Sequence, residues 1–458
     1  MNTSYDSVAG TIGNTPLIRL TKVTGGIPIP IYAKAEFFNP GGSLKDRIGL
    51  AIIEAAESKG ELKPGGVVVE GTAGNTGVGL AIGAALKGYR CIFTMPDKMS
   101  DEKVRLLRAY GAEVIITPTA VPADHPDNYV MKAKSIAKTT PNAMFANQFY
   151  NQANPEAHYR TTGPEIWDQT EGKITHFVAS AGTGGTVSGV GRYLKEKNPD
   201  IQVISGDPEG SIYAEYSRTQ QIGSSHPYKV EGIGGDKIPD ALHFEYIDEW
   251  VTVSDPAAFR MARRLAREEG LFVGGSTGLN VHVALDVARR LGDTEALIVT
   301  IAADTGERYL SKVFNDDWLR ENQMLEAERV LAGSLLEQKS SDAPDLVTVA
   351  PSATVRQALN LMTTYNVSQL PIVEGDENVG SVADSSLMAL AVAEPSSLTR
   401  AIREVMEDPF PVVDADTPLD HLATLLSKGN AAALVQRNGT LAGIVTRYDV
   451  LRKVAGMI

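Results

Sequence analysis

An α/β protein with parallel sheets covered by helices, followed by a small paired module, is the fold class this sequence predicts, and three observations predict it. From about residue 30 to residue 315, short β-branched runs alternate with helical patterns. After Trp318 the texture changes to a polar, helix-prone stretch ending in Ser340-Ser-Asp-Ala-Pro344. Beyond that stretch the chain repeats itself. At 458 residues the chain exceeds one ordinary core, and about 150 residues per domain gives roughly three structural units.

Taken in order, the strand signals are Val67-Val-Val69, Val114-Ile-Ile-Thr117, His176-Phe-Val-Ala-Ser180, Ile201-Gln-Val-Ile204 and Leu297-Ile-Val-Thr-Ile301. Helical patterns between them include Gly77 to Lys87 and Val187 to Lys197. The run Arg90 to Met95 reads as a further buried strand and holds the only cysteine, Cys91, so no intramolecular disulfide forms and a reducing, cytoplasmic setting is expected. Asn154-Pro155 and Asp255-Pro256 read as a helix cap followed by a first-turn proline, and Gly60 and Gly88 as helix stops. In the repeat, Pro351-Ser-Ala-Thr-Val355 leads to Pro371-Ile-Val373 and Gly380-Ser-Val382, while Asp416-Thr-Pro-Leu419 leads to Ala433-Leu-Val435 and Gly443-Ile-Val445. Each copy reads as turn, amphipathic helix, strand, turn, strand, helix, and is too small to bury its own core, so the two are expected to pack as a pseudo-symmetric pair. The expected division is a domain over 1–320, a linker over 321–344, and a paired module over 345–458 with repeats at about 345–392 and 402–458.

Composition narrows the function classes. With 43% hydrophobic and 22% charged residues the chain can bury large cores as a soluble protein. A net charge of -13 repels phosphate backbones and anionic lipid, so neither nucleic acid nor membrane is an expected partner. The most apolar stretch, Val67 to Leu86, carries Glu70 and Asn75 and is interrupted by glycines, which disqualifies it as a spanning helix. Met1 to Asp6 shows neither a basic region nor an apolar one, so no secretory leader is expected.

Four segments carry chemistry. Pro40-Gly-Gly-Ser-Leu-Lys-Asp-Arg47 delivers Lys45 to the start of a helix, although Ser43 with Asp46 also resembles a plain capping box. Gly71-Thr-Ala-Gly-Asn-Thr-Gly77 joins a strand to a helix, and its bare amides suit an anion. Gly182-Thr-Gly-Gly-Thr186 does the same, with two threonine hydroxyls added; Val187 breaks the dinucleotide spacing, and no Lys-Ser/Thr pair makes it a Walker loop. Gly274-Gly-Ser-Thr-Gly278 is a turn before another helix.

In this order in one chain, the four segments resemble the fold-type II pyridoxal 5′-phosphate (PLP) enzymes of the cysteine synthase and cystathionine β-synthase family, over essentially residues 5 to 458. The resemblance implies a tryptophan synthase β-like fold with two parallel-sheet subdomains and a C-terminal tandem CBS-motif (Bateman) module. It also implies that Lys45 forms the Schiff base with PLP and is the catalytic residue, that Asn75 bonds the cofactor's 3′-oxygen, and that Gly182, Thr183, Gly184, Gly185 and Thr186 cradle its phosphate. Ser276 would face the pyridine nitrogen, and Thr72, Gly74 and Thr76 with Gln148 would hold a substrate carboxylate. An amine is needed to form the imine, and a lysine desolvated in a cleft is nucleophilic near neutral pH. A neutral hydroxyl at Ser276 cannot hold the ring nitrogen protonated, which favours β-elimination over transamination.

Within that family, Glu36-Phe-Phe-Asn39, Met95-Pro-Asp-Lys-Met-Ser100 with Glu102-Lys103, and Val230-Glu-Gly-Ile-Gly234 resemble the cystathionine β-synthase branch, with substrate-binding Glu231 where cysteine synthases usually have glutamine. Thr161-Thr-Gly-Pro-Glu-Ile-Trp167 and Gly306-Glu-Arg-Tyr-Leu310 resemble cysteine synthases. Phe149 and Gly235 stand where animal synthases have tyrosine, and Ala73 replaces the serine common in the family's Thr-Ser-Gly-Asn-Thr loop. The implied activity joins L-serine to L-homocysteine, with an O-acetylserine-dependent cysteine synthase as the alternative. No haem is expected, because the PLP motifs begin at once and the only cysteine is Cys91, and no metal site is expected. Copy two of the repeat ends in Thr446-Arg-Tyr-Asp449, which resembles the adenosine-binding signature of CBS motifs, whereas copy one has Ala383 and Ser386 at the aligned places. One regulatory site for S-adenosylmethionine or an adenine nucleotide is therefore expected, against the simpler reading that Asp449 caps the last helix. The resemblance further implies a homodimer.

Overall fold

The computed structural model describes residues 4–454 except 73, 98, 100, 123, 293, 326–330, 338–343, 345, 376, 428 and 438. It divides into two compact units, Met1–Leu325 and Glu326–Ile458.

The first unit runs β1 (Leu17–Arg19), β2 (Ile31–Ala35), α1 (Lys45–Ser58), β3 (Val67–Gly71), α2 (Asn75–Lys87), β4 (Arg90–Pro96), α3 (Asp101–Ala109), β5 (Glu113–Thr117), α4 (Tyr129–Thr139), β6 (Ala143–Phe145), α5 (Ala153–Arg160), α6 (Thr162–Gln169), β7 (His176–Val178) and α7 (Gly185–Lys197). It continues β8 (Gln202–Pro208), α8 (Tyr213–Thr219), β9 (Glu249–Val253), α9 (Asp255–Arg264), α10 (Gly275–Leu291), β10 (Ile298–Ala302) and α11 (Asp316–Glu321). Two sheets result. One has the order β5-β4-β3-β6 and is parallel throughout; the other has the order β1-β2-β10-β7-β8-β9 and is parallel except where β1 meets β2. β3 and β10 are buried at every position, as strands covered by helices on both faces must be. Cys91 is buried in β4, and burial pushes its thiol up to about 12, which keeps it inert.

Several helix starts differ from the sequence expectation. Ser43 and Asp46 form no capping box: Leu44 is the N-cap of α1, and the Asp46 carboxylate instead accepts the Gly41 N–H at 2.5 Å. Asn154 lies inside the first turn of α5, where its side chain is engaged elsewhere, and the cap of α9 is Ser254. Asp255 accepts the N–H groups of Lys229 and Val230 at 2.6 and 3.0 Å, anchoring the loop that carries Glu231. Asp46 and Asp255 accept from backbone donors outside their own helices, and Asn154 instead donates its Nδ2 to the Gln148 carbonyl and Thr183 Oγ1, partnerships that sequence spacing does not reveal.

The second unit contains α12 (Ala332–Glu337), α13 (Val355–Tyr365), β11 (Gln369–Glu374), β12 (Glu377–Ala383), α14 (Asp384–Ala393), β13 (Val412–Asp414), α15 (Leu419–Ser427), β14 (Ala432–Arg437), β15 (Thr440–Thr446) and α16 (Arg447–Val454). The two copies are β11-β12 and β13-β14-β15 sheets, each with its own buried cluster. Residues 321–344, read from sequence as a linker, include α12, whose Ala332 and Leu335 are fully buried in the core of copy two. The apolar positions of that short helix are too few to register as a helical period.

Candidate active site

In the first unit the carboxyl ends of β3, β4, β7 and β10 open into one cleft of about 820 Å³, the place where open parallel sheets bind ligands. Lys45, the first residue of α1, lines it, and its ammonium makes no hydrogen bond or ion pair among the described residues. Burial lowers its pKa from an ordinary 10.5 to about 8, against the opposing pull of Asp304.

The segment after β7 supplies a ring of donors. Backbone N–H groups of Gly182 to Thr186 have no protein acceptor among the described residues, and α7 begins at Gly185. Gly184 adopts φ +84, and a Cβ at Gly182, Gly184 or Gly185 would collide with the Gly232 carbonyl, Leu242 or the Asn154 side chain respectively. The glycines therefore exist for close approach. Asn154 Nδ2 donates to Thr183 Oγ1 and to the Gln148 carbonyl, both at 2.9 Å, and Thr186 Oγ1 meets His158 Nε2 at 3.1 Å. Burial pushes that imidazole down to about 3, so it is neutral. Gly182, Thr183, Gly184 and Thr186 line the cleft; Gly185 stands just behind.

On the opposite wall Ser276, in the first turn of α10, is buried and its hydroxyl has no partner among the described residues. Asn75 Nδ2 donates to Asp304 Oδ2 at 2.6 Å, Tyr309 donates its hydroxyl to the same oxygen at 2.5 Å, and Arg308 donates to Asn75 Oδ1. Asp304 is buried with Oδ1 unpartnered, and burial raises its pKa. Sequence reading did not single out Asp304, although a carboxylate directly after the apolar run of β10 marks the carboxyl end of a buried strand.

Thr72, Gly74 and Thr76 form the rim, with Thr76 Oγ1 donating to Gln148 Oε1 at 2.6 Å; Ala73 lies outside the described residues. Glu70, directly beneath, accepts the Asn147 N–H at 2.6 Å, and burial raises its carboxyl to about 8. Glu231 also lines the cleft, but it is held by Lys103 at 2.5 Å and Lys312 at 2.6 Å. Burial favours its neutral form, yet the two lysines outweigh that and keep its pKa low. From sequence Lys103 was read only as part of a string resembling one branch of the family, and Lys312 was not singled out. Under the cleft, Arg47 grips Glu36 at 2.7 Å and Glu165 at 2.6 Å, and Lys34 meets Glu165 at 2.7 Å, so the charges buried beside α1 are paired.

In the second unit Thr446 and Asp449 meet, as a capping box for α16. The Asp449 carboxylate accepts the Thr446 N–H at 2.7 Å and hydroxyl at 2.8 Å, while Thr446 Oγ1 accepts the Asp449 N–H at 3.4 Å. In copy one the equivalent Ser386 donates its hydroxyl to Glu407 at 2.7 Å, and Ala383 offers no cap. Among the described residues there is no cluster of metal-ligating side chains, and no helix is long and apolar enough to cross a membrane.

Comparison with known proteins agrees with this arrangement. The family described as "Pyridoxal-phosphate dependent enzyme" matches residues 8–304, and the CBS domain matches twice, at 342–392 and 402–456. Similar curated proteins include the cystathionine beta-synthases of Dictyostelium discoideum, 38% identical over 97% of this chain and 91% of that protein, and of Oryctolagus cuniculus, 39% identical over 97% of this chain and 84% of that protein. Similar solved structures include a hydrogen sulfide-producing enzyme from Fusobacterium nucleatum, 37% identical with TM-score 0.62 over 67% of this chain and 99% of that one. An O-acetylserine dependent cystathionine beta-synthase from Helicobacter pylori is 39% identical, also with TM-score 0.62, over 68% of this chain and 99% of that one. The chain therefore belongs to the pyridoxal-phosphate-dependent enzymes, with the fold-type II catalytic architecture and a tandem of CBS domains. The unpartnered lysine amine, the vacant amide donors and the unpartnered hydroxyl are the donor set such a cofactor requires.

Proposed function

We propose that this chain is a cystathionine β-synthase, which replaces the β-hydroxyl of L-serine with the sulfur of L-homocysteine and releases L-cystathionine and water. The observation that carries the reading is likeness to synthases of that name along nearly the whole chain, CBS domains included. With L-cysteine as first substrate the same exchange releases hydrogen sulfide.

PLP, when bound, supplies an aldehyde for imine formation and a ring that withdraws electrons from the amino acid's Cα. Lys45 is the imine-forming amine. With its pKa near 8, about a tenth of it is unprotonated at pH 7, against well under a thousandth for an ordinary lysine. Lys45 takes the Cα proton and passes it to the departing hydroxyl, because hydroxide is otherwise a very poor leaving group; it then takes the proton of the homocysteine thiol and delivers it to Cα. Gly182 to Thr186 hold the phosphate and Asn75 the 3′-oxygen. Ser276 offers the ring nitrogen a neutral hydroxyl. Thr72, Gly74, Thr76 and Gln148 orient the substrate carboxylate, and Glu231 with its two lysines presents charges of both signs to an amino-acid zwitterion at the mouth. In the module, Thr446 and Asp449 form one site for S-adenosylmethionine, ATP or AMP, and the chain works as a homodimer in the cytoplasm.

The Helicobacter neighbour supports a second reading, in which O-acetylserine is the first substrate. Purified enzyme offered serine plus homocysteine, O-acetylserine plus homocysteine, or O-acetylserine plus sulfide separates them. Cystathionine formed fastest from serine supports the first reading; cysteine formed fastest from O-acetylserine and sulfide overturns it.

A further inference from the structure

We propose that the Tyr213 hydroxyl positions the phosphate-binding loop, holding the Gly182 carbonyl so that the Thr183 N–H faces the anion. The inference rests on the reading that Gly182 to Thr186 hold the cofactor phosphate.

Tyr213 is fully buried at the start of α8, and its hydroxyl donates to the Gly182 carbonyl at 2.9 Å. In a trans peptide the carbonyl of one residue and the N–H of the next point in opposite directions. Fixing the Gly182 carbonyl therefore fixes the Thr183 N–H. The preceding peptide is held the same way, since the Ala181 carbonyl accepts the Gly234 N–H at 2.7 Å. Two successive carbonyls are thus tied back by Tyr213 and by the 230–235 loop, and the N–H groups behind them have no protein acceptor among the described residues.

Tyr213 is itself held in place. The Ala214 N–H donates to Asp207 at 2.9 Å, the Ile212 N–H to the Gly235 carbonyl at 3.1 Å, and the Tyr213 ring meets Trp250 edge-on with centroids 6.1 Å apart. Burial raises the phenol's pKa, so it remains a donor throughout the working pH range. A Cβ at Gly235 would collide with the Tyr213 hydroxyl. The glycine that departs from the animal pattern is thus what lets a tyrosine on α8 reach the loop.

The test compares PLP with pyridoxal, which lacks the phosphate, on the cofactor-free full-length protein. Dissociation constants are measured by fluorescence titration for wild type, Tyr213→Phe and Thr183→Val. Losing one neutral hydrogen bond should raise the Tyr213→Phe Kd for PLP about three- to tenfold while leaving pyridoxal within about twofold. Retained pyridoxal binding shows that the variant is folded. If Thr183→Val weakens PLP and Tyr213→Phe does not, the inference is wrong and the loop assignment stands. If neither variant changes PLP relative to pyridoxal, the loop assignment fails and takes the inference with it. Equal weakening of both ligands by Tyr213→Phe would mean that the hydroxyl supports the general architecture, which also overturns the proposal.

Discussion

Replacing Lys45 by methionine should stabilise the cofactor-free protein near neutral pH, because the lysine is kept in the cleft at a cost to folding. Burial lowers its pKa from 10.5 to about 8, which at ~1.36 kcal/mol per pH unit sets a ceiling of about 3 kcal/mol. The cleft admits water and screens part of this, so we expect about 1–2 kcal/mol. The sign follows from proton binding. Between about pH 8 and pH 10.5 the unfolded chain binds more protons at this position than the folded one, so wild-type stability gains from rising pH there. Below about pH 8 both states are protonated and the folded state carries the full penalty; methionine carries none. The advantage of Lys45→Met should thus be greatest at pH 7 and fade by about pH 10.5. Urea unfolding followed by tryptophan fluorescence measures it, since Trp167, Trp250 and Trp318 all lie in Met1–Leu325 and report on the catalytic unit. A stability difference that stays constant from pH 7 to pH 10 would refute the reasoning. The same variant should lose the imine absorbance and turnover, the usual conflict between stability and function.

Ser276→Asp should protonate the ring nitrogen and depress β-replacement; unchanged rate and absorption spectrum would remove Ser276 from the ring. Arg47→Met strands Glu36 and leaves Glu165 only Lys34, so the catalytic unit should lose about 3–5 kcal/mol in urea unfolding; a loss under about 1 kcal/mol would mean the carboxylates find other partners. Asp449→Ala removes the acceptor for the Thr446 N–H and should cost the module about 1 kcal/mol while abolishing adenosine-ligand binding by calorimetry. Equal binding of S-adenosylmethionine, AMP and ATP by variant and wild type would leave Asp449 as a cap alone.

Features set by local spacing were legible in the chain before folding was considered. A glycine-rich turn between a β-branched run and an apolar helix is written in consecutive residues, so Lys45, Thr72 to Thr76, Gly182 to Thr186 and Ser276 were all found as segments, and all but Gly185 and the undescribed Ala73 line one cleft. The paired module was legible for a similar reason: a repeat is a property of the chain itself. Helix caps were less legible. Asp46, Asn154 and Asp255 carry capping chemistry, but each has a stronger use for its side chain at a distant backbone or side chain.

What only the tertiary structure decided are the partnerships across the sequence. Asn75 and Asp304 are 229 residues apart, and Glu231 meets Lys103 across 128 residues and Lys312 across 81. Nothing in the neighbourhood of any of these residues in the chain marks the other. They meet because the two sheets bring the carboxyl ends of β3, β4, β7 and β10 to one cleft, where burial lowers the proton affinity of Lys45 and the two lysines keep Glu231 charged. The sequence determined which chemical groups the cleft would contain. Burial and long-range pairing determined which of them are charged, which are held in place, and which remain free to react.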